Sequence, residues 1–426
     1  MNNKQPLFRT HDNNYLLPFI LVSSLFLLWG IANNMTDTLL AAFKRIMSMS
    51  DAQTSLIQFA FYGSYFCFAL PAALFIKRHS YKSGIILGLI LYAAGAILFL
   101  PAAKTASYGF YLFAIYVMAG GCSVLETTAN PYILTMGPKE SATRRLNVAQ
   151  SFNPMGSIIG ILLSQYFILS ELSSATASER AAMSDAQLQA LQMHELNAVT
   201  GTYMTLGFVL LAIMLLMLCV KMPTGGDSDK SIDLKGAFGR LWKNRNYRFG
   251  VVAQFFYVGA QIGVWSFTIR IVMEELSIVE KPAATIYLIS IVCFCLFRFL
   301  FTWLMKFFKP ARLLVLATIA AIVCSLTVVL GQGLVLVIAL IGISAFMSLM
   351  FPTIYGLALE DVGEDAKIGA SGLIMAILGG ALLTPLQGRI SDVFGIHVSY
   401  LVPTICFAVV FLYGVSTMSK PRSTNR

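Results

Sequence analysis

The sequence predicts an all-α protein that crosses a membrane twelve times, as two groups of six helices. Three observations predict it. Of 426 residues, 57% are hydrophobic and only 12% charged, against about 25% charged in a typical soluble domain, and the mean hydropathy is +0.75. Uncharged runs long enough to cross a bilayer as helices recur along the whole chain. A long polar stretch near the middle separates six such runs from six.

The first run, 13–36, is far longer than the roughly 7–15 residue core of a cleaved signal peptide and contains no small-residue cleavage site, so it is expected to stay as helix 1. Spans 2 to 5 follow at 52–76, 83–103, 105–125 and 146–170. The segment of about 171–198 is polar, and SDAQLQALQMHEL within it reads as a short surface helix with Ser184 or Asp185 as its N-cap. Span 6, at 196–220, leads into MPTGGDSDKSIDLKGAFGRLWKNRNYR, rich in Gly, Asp, Ser and Lys at its start and amphipathic toward its end. The expected division is therefore an N-terminal half, 1–221, a linker, 222–246, and a C-terminal half, 247–426. Span 7 is 249–269, and span 8, about 282–305, contains Arg298. Spans 9 and 10 share the run 313–359, broken near Gly331–Gln332–Gly333, and spans 11 and 12 are 368–388 and 393–419.

Lys and Arg set the expected orientation. With the N-terminus inside, 22 of the 30 fall in cytoplasmic segments and five outside, while Arg270, Arg298 and Arg389 lie within spans. Both termini are expected to be cytoplasmic. The net charge of +10 is accounted for in this way, with no basic patch left for a nucleic acid. All seven cysteines fall in apolar spans, so Cys293 and Cys295 read as packing or lipid-facing residues and no metal site is expected. No nucleotide-binding G-x-x-x-x-G-K-[ST] motif occurs, so the energy for any pumping must come from an ion gradient. Nor is there a hydrolase constellation or a soluble output domain of the kind a sensor carries.

Acids inside a membrane are costly and by default mark a functional pathway. Two stand out: Asp37 in span 1 and Glu126 in AGGCSVLETTANPY. Asn33 and Asn34 lie four and three residues before Asp37, and Asn130 four after Glu126, spacings that put amide and acid on one helix face. Each acid has a neutral hydrogen-bonding neighbour and no local cation, so each is able to alternate between protonated and ionised forms and to carry a proton. The competing reading is a structural tie between either acid and Arg270 or Arg298.

Uncharged polar residues form stripes. Gln254, Tyr257, Gln261 and Trp265 of span 7 fall within roughly an 80° arc at about 100° per residue. Ser344, Ser348, Phe351 and Tyr355 do the same in span 10, and Asn147, Gln150 and Asn153 line one side of span 5. Amides, hydroxyls and aromatic planes suit a neutral sugar, which offers hydroxyls and a flat C–H face; they also join helices to one another. The pairs Gly156/Gly160 and Gly259/Gly263 permit close helix approach.

LWGIANNMTDTLL (28–40), LETTANPY (125–132), RRLNVAQSFNPMG (144–156), VGAQIGVWSFTIR (258–270), AFMSLMFPTIYG (345–356) and LGGALLTPLQGRISD (378–392) resemble the fucose/galactose/glucose–proton symporter family of the major facilitator superfamily, from about residue 15 to 418. The resemblance implies that superfamily's fold, with twelve helices in two six-helix halves, alternating access, and one sugar moved inward with a proton across the bacterial inner membrane. It implies a functional monomer with no cofactor. It places essential acids at Asp37 and Glu126 and sugar contacts at Gln150 and Asn153. The W-S-x-x-I-R pattern of span 7 resembles the fucose members, which implies L-fucose or a relative such as L-galactose or D-arabinose; the alternative is a glucose, galactose or N-acetylglucosamine symporter coupled to protons or sodium. Two departures stand in LMFPTIYG, where Met350 and Phe351 replace a polar residue and a tyrosine, and a third is Ala73, at a position usually glycine.

Overall fold

Helix ends follow local chemistry. Ser80 and Ser107 accept from the backbone N–H groups of Ser83 and Phe110, Asn244 accepts from that of Tyr247, and Pro310 opens its helix at the first turn, where no N–H is needed. Gly333, at φ +60°, lies in the left-handed region at the tight reversal between Leu330 and the next helix. The computed structural model describes residues 7–8, 14–47, 51–105, 107–173, 175, 179–180, 182–223 and 233–418, leaving aside the side chains of 33, 36–42, 44–45, 51–55, 58, 169 and 280–281.

Among the described residues, twelve principal helices, some interrupted, form two sets of six: α1 (Leu16–Ile46), α2 (Asp51–Arg78), α3 (Tyr81–Thr105), α4 (Tyr108–Thr135), α5 (Ala142–Gln150, resuming as Phe152–Phe167) and α6 (Asp185–Cys219) form one half. The other comprises α7 (Arg245–Leu276), α8 (Glu280–Leu304), α9 (Pro310–Leu330), α10 (Gly333–Met347 and Met350–Ala358), α11 (Ala366–Met375 and Leu378–Phe394) and α12 (Ile396–Ser399 and Leu401–Met418). Ten of these are long and apolar enough to cross a bilayer by length and composition; α1 and the interrupted α5 complete the set. The N-terminal half packs α1 on α5, α2 on α4, and α3 on α4 and α6. The C-terminal half repeats this six helices later, with α7 on α11, α8 on α10, and α9 on α10 and α12.

One expectation is corrected. The segment expected as a separate surface helix is the first part of α6, which runs unbroken through 35 residues from its capping box of Ser184 and Gln187. The buried pair of Arg180 with Glu195, whose carboxylate also accepts from the Ser173 N–H, pins these polar turns to the loop before them and lets the helix continue past the membrane-length run. The other half has a comparable fastening: Glu275, near the end of α7, accepts from the Gly333 N–H and meets His397 at 3.2 Å.

The halves meet most closely toward the face where α1 begins and α12 ends, hereafter the terminal face. There α2 packs on α11 and α5 on α10. Asn147 donates to Thr353 at 3.2 Å, Gly356 packs against Thr143, and the Lys367 ammonium stands 4.7 Å from the Tyr81 ring. Between α6 and α7, inside the expected linker, a helix spans Leu234–Lys243; its Arg240 donates twice to Asp365 at 2.7 and 2.9 Å, which holds the guanidinium above its ordinary pKa.

Within the halves, the glycines expected to allow close approach do so. Gly156 and Gly160 face the α1 backbone at Leu27 and Ile31, and Gly259 and Gly263 face Leu383 and Gln387 of α11. A Cβ at Gly156 would strike the Leu27 carbonyl, whereas one at Gly63 would meet open space. Overpacking typically costs about 1–3 kcal/mol, and a helical Gly to Ala change without a clash gains up to roughly 1 kcal/mol. Gly156→Ala should therefore lower the thermal unfolding midpoint of the detergent-solubilised protein by several degrees, with Gly63→Ala unchanged or slightly raised. Equal midpoints would show that α1 and α5 do not approach as closely as described.

Candidate functional site

Helical continuity fails where the halves meet, and the cause is in the sequence. Pro154 lies four residues after Gln150, and Pro352 four after Ser348. Each proline lacks the N–H that would normally bond the carbonyl four residues earlier. The α5 helix is interrupted at Ser151 and α10 at Ser348–Leu349. Arg298 of α8 supplies both donors: its Nη1 donates to the Gln150 carbonyl at 2.9 Å and its Nε to the Ser348 carbonyl at 2.6 Å. The side chain is buried, and its guanidinium also lies 4.7 Å from the Phe294 ring. One cation thus satisfies a freed carbonyl in each half.

Above this floor, away from the terminal face, lies a cavity of about 430 Å³, within the range of about 300–1,000 Å³ usual for small-molecule sites. Its N-terminal wall includes Phe26, Trp29 and Asn34 of α1, Tyr62 and Tyr65 of α2, Glu126 of α4, and Gln150, Asn153 and Ser157 of α5. The C-terminal wall includes Gln261, Trp265 and Ser266 of α7, Tyr287 and Arg298 of α8, Phe351 of α10 and Ile377 of α11.

Glu126 is 8% exposed. Its Oε1 accepts from the Tyr65 hydroxyl at 3.1 Å, and that hydroxyl accepts from the Trp29 indole N–H, also at 3.1 Å. Among the described residues no cation pairs with it. The tie between an acid and Arg298 weighed from sequence is not made to Glu126, because the guanidinium is committed to the two carbonyls. Arg270 is exposed on α7, with its guanidinium over Phe267. Asn130 donates to the Glu126 carbonyl at 3.1 Å and accepts from the Gln150 amide at 2.7 Å. A continuous polar chain therefore runs from the turn of Glu126 through Asn130 and Gln150 to Arg298.

Other expected site residues divide into two groups. Gln150, Asn153, Gln261, Trp265, Phe351 and Asn34 line the cavity. The Asn153 amide donates to the Phe26 carbonyl at 3.4 Å, and Asn34 donates to the carbonyl of Gly30. Trp265 donates to Ser344 at 3.2 Å and stands edge-on to Phe294, fixing its plane. Asn130, Tyr257 and Tyr355 are fully buried outside the lining; Tyr257 donates to the Met347 carbonyl and braces α7 on α10. The correction has a simple cause: the helices close on one another toward the terminal face, so the ends of the stripes there are buried in the contact between neighbours. Asn33 and Asp37 lie in α1, but their side chains fall outside those described. At about 1.5 Å per residue, Asp37 is roughly 12 Å along the axis from Trp29.

Several wall residues were missed: Trp29, Tyr62 and Tyr65, and Tyr287. Their available signal was weak, since an aromatic in an apolar span serves lipid, core and cavity equally well. Trp29 does stand in the same motif as Asn33, Asn34 and Asp37.

The arrangement offers amides, an acid and aromatic planes to a neutral polyhydroxylated ligand. Gln150→Ala, Asn153→Ala and Gln261→Ala should each weaken sugar binding by about 1–3 kcal/mol, the cost of leaving a buried hydrogen-bonding group unpaired. Titration calorimetry on the purified variants checks this, and wild-type affinity in all three would misplace the cavity.

Comparison with known proteins places this geometry among transporters. The family model of the Major Facilitator Superfamily matches residues 19–379. The L-fucose-proton symporter of Haemophilus influenzae is 42% identical over 415 residues, covering 95% of this chain and 97% of that protein. A glucose/galactose transporter of Brucella abortus is 31% identical over 416 residues, covering 97% of each. A crystal structure of FucP, a Major Facilitator Superfamily transporter in the outward conformation, superposes with a TM-score of 0.89 at 38% identity, over 96% of this chain and 100% of that one.

Proposed function

The chain belongs to the Major Facilitator Superfamily, and from that premise we propose that it imports L-fucose, or a close relative such as L-galactose or D-arabinose, together with a proton. The observation that carries the proton coupling is Glu126: an acid in the wall of a closed-bottomed cavity, hydrogen-bonded by Tyr65, with Arg298 committed elsewhere. The greater identity to the fucose symporter than to the glucose/galactose transporter supports the substrate.

Loop basic residues orient the terminal face toward the cytoplasm of a bacterial inner membrane. In that orientation the floor of Arg298, Asn147 and Thr353 closes the inner side and the cavity opens outward. A sugar settles between the amides of Gln150, Asn153 and Gln261 and the planes of Trp265 and Phe351. The proton sits on Glu126. Its protonation removes a buried negative charge, which favours both sugar binding and the passage of the loaded site through the closed state. Asp37, farther toward the outer side on α1, is the second proton carrier. The halves then rock over the sugar, break the inter-half bonds at the floor, and release sugar and proton inward. A single chain contains every element of this cycle, so the functional unit is a monomer.

Sugar and proton bind cooperatively in this scheme, so sugar affinity falls as pH rises through the titration of Glu126. Glu126→Gln, a permanent mimic of the protonated acid, flattens that fall. Asp37→Asn and Glu126→Gln should abolish gradient-driven accumulation of radiolabelled L-fucose, while sugar exchange, which needs no change of protonation, survives in at least one of them. Competition by L-galactose and D-arabinose but not by glucose or N-acetylglucosamine supports the substrate. Full accumulation by both variants would overturn the coupling assignment, and displacement by glucose alone would overturn the sugar.

A further inference from the structure

The linker helix Leu234–Lys243 exposes apolar side chains that nothing else among the described residues covers. Ala237 and Leu241 are buried, and Leu241 packs toward Gly369 at the start of α11. About 100° around the same helix, Phe238 and Trp242 are exposed, Trp242 by 72%. The chain turns at Asn244 into α7, whose first exposed apolar residues are Phe249 and Val252, at the start of the run expected to span the bilayer. Arg248, in the first turn of α7, lies over the Trp242 ring, so the aromatic flank of the linker helix stands beside the exposed first turns of α7.

Charge accompanies the aromatics. Residues 233–248 contain Lys235, Arg240, Lys243, Arg245 and Arg248 against the single acid Asp233. Arg240 is taken by Asp365 and approaches Asp233, while the other four have no acidic partner among the described residues. Two of them sit over exposed rings: Arg248 is 5.5 Å from the Trp242 ring, and Arg245 is 5.3 Å from that of Phe249. A basic side chain over an aromatic at the level of the first membrane turn is the pairing that a phospholipid interface selects: the ring seats at the headgroup level, and the cation meets the phosphate.

We propose that the junction of the linker helix and α7 is an anionic phospholipid site, in which Phe238, Trp242 and Phe249 seat at the acyl boundary while Lys243, Arg245 and Arg248 bind the headgroup. The place of the aromatic flank beside the exposed first turns of α7 argues for lipid rather than a protein partner, and the excess of cations over acids argues for an anionic headgroup. The site lies where the linker is fastened through Arg240 to the start of α11, so the lipid anchors the strap that joins the two halves.

The test uses the full chain in phosphatidylcholine bilayers containing a small fraction of either brominated phosphatidylglycerol or brominated phosphatidylcholine. The protein has four tryptophans, and the signal of Trp242 is the difference between wild type and Trp242→Phe. Brominated phosphatidylglycerol should quench that difference at least about threefold more than brominated phosphatidylcholine at equal mole fraction. High salt, or the combined variant Lys243→Gln, Arg245→Gln and Arg248→Gln, should abolish the preference. Retained sugar binding in the variants verifies folding. Equal quenching by the two lipids overturns the headgroup recognition, and no quenching by either overturns the site and leaves the face to a protein partner.

Discussion

Arg298 is the constraint from which the site follows. A guanidinium is costly in the interior of a membrane protein unless its donors are used, and here Nε and Nη1 are taken by carbonyls that Pro352 and Pro154 have freed. The solution is mutual: two helix interruptions that would leave polar backbone unsatisfied are closed by one side chain, and the guanidinium is solvated by backbone carbonyls rather than paired with an acid. Glu126, on the opposite wall of the cavity, keeps a neutral partner, Tyr65, and remains free to change its protonation state.

That arrangement also links the site to the contact between halves. Gln150 presents its carbonyl to Arg298 across the interface and its amide to Asn130, which hangs from the turn of Glu126. A sugar that engages Gln150, or a proton that lands on Glu126, perturbs one connected set of hydrogen bonds ending in the opposite half. Among the described residues, a few polar bonds join the halves at the floor, Asn147 to Thr353 and Arg298 to Gln150 among them. Each contributes modestly in net terms, about 0.5–1.5 kcal/mol for neutral pairs and 1.5–3 kcal/mol where one partner is charged. The close glycine contacts of α1 with α5 and of α7 with α11 lie within the halves and let each move as a unit.

The helices were legible because hydrophobic run length is a local property, and Glu126 because a charge in such a run is conspicuous. The polar stripes were legible in part: Gln261 and Trp265 face the cavity, while Tyr257 and Tyr355 turn into neighbouring helices. Spacing defines a face but not what lies opposite it. The partners of Arg298 were hidden for a different reason. They are backbone atoms on two other helices, made available by prolines whose effect is visible in sequence only once it is known which side chain reaches them. The start of α6 was misjudged because the buried pair of Arg180 with Glu195 joins residues whose polarity, read locally, looks like surface.

The central claim is that the sugar brings its proton to Glu126. Addition of L-fucose to the purified protein in weakly buffered detergent solution, followed by the change in bulk pH, measures proton uptake on binding directly, with no membrane gradient involved. The account requires uptake by wild type over the pH interval in which the empty site loses its proton, and none by Glu126→Gln at saturating sugar. Undiminished uptake by that variant would contradict it.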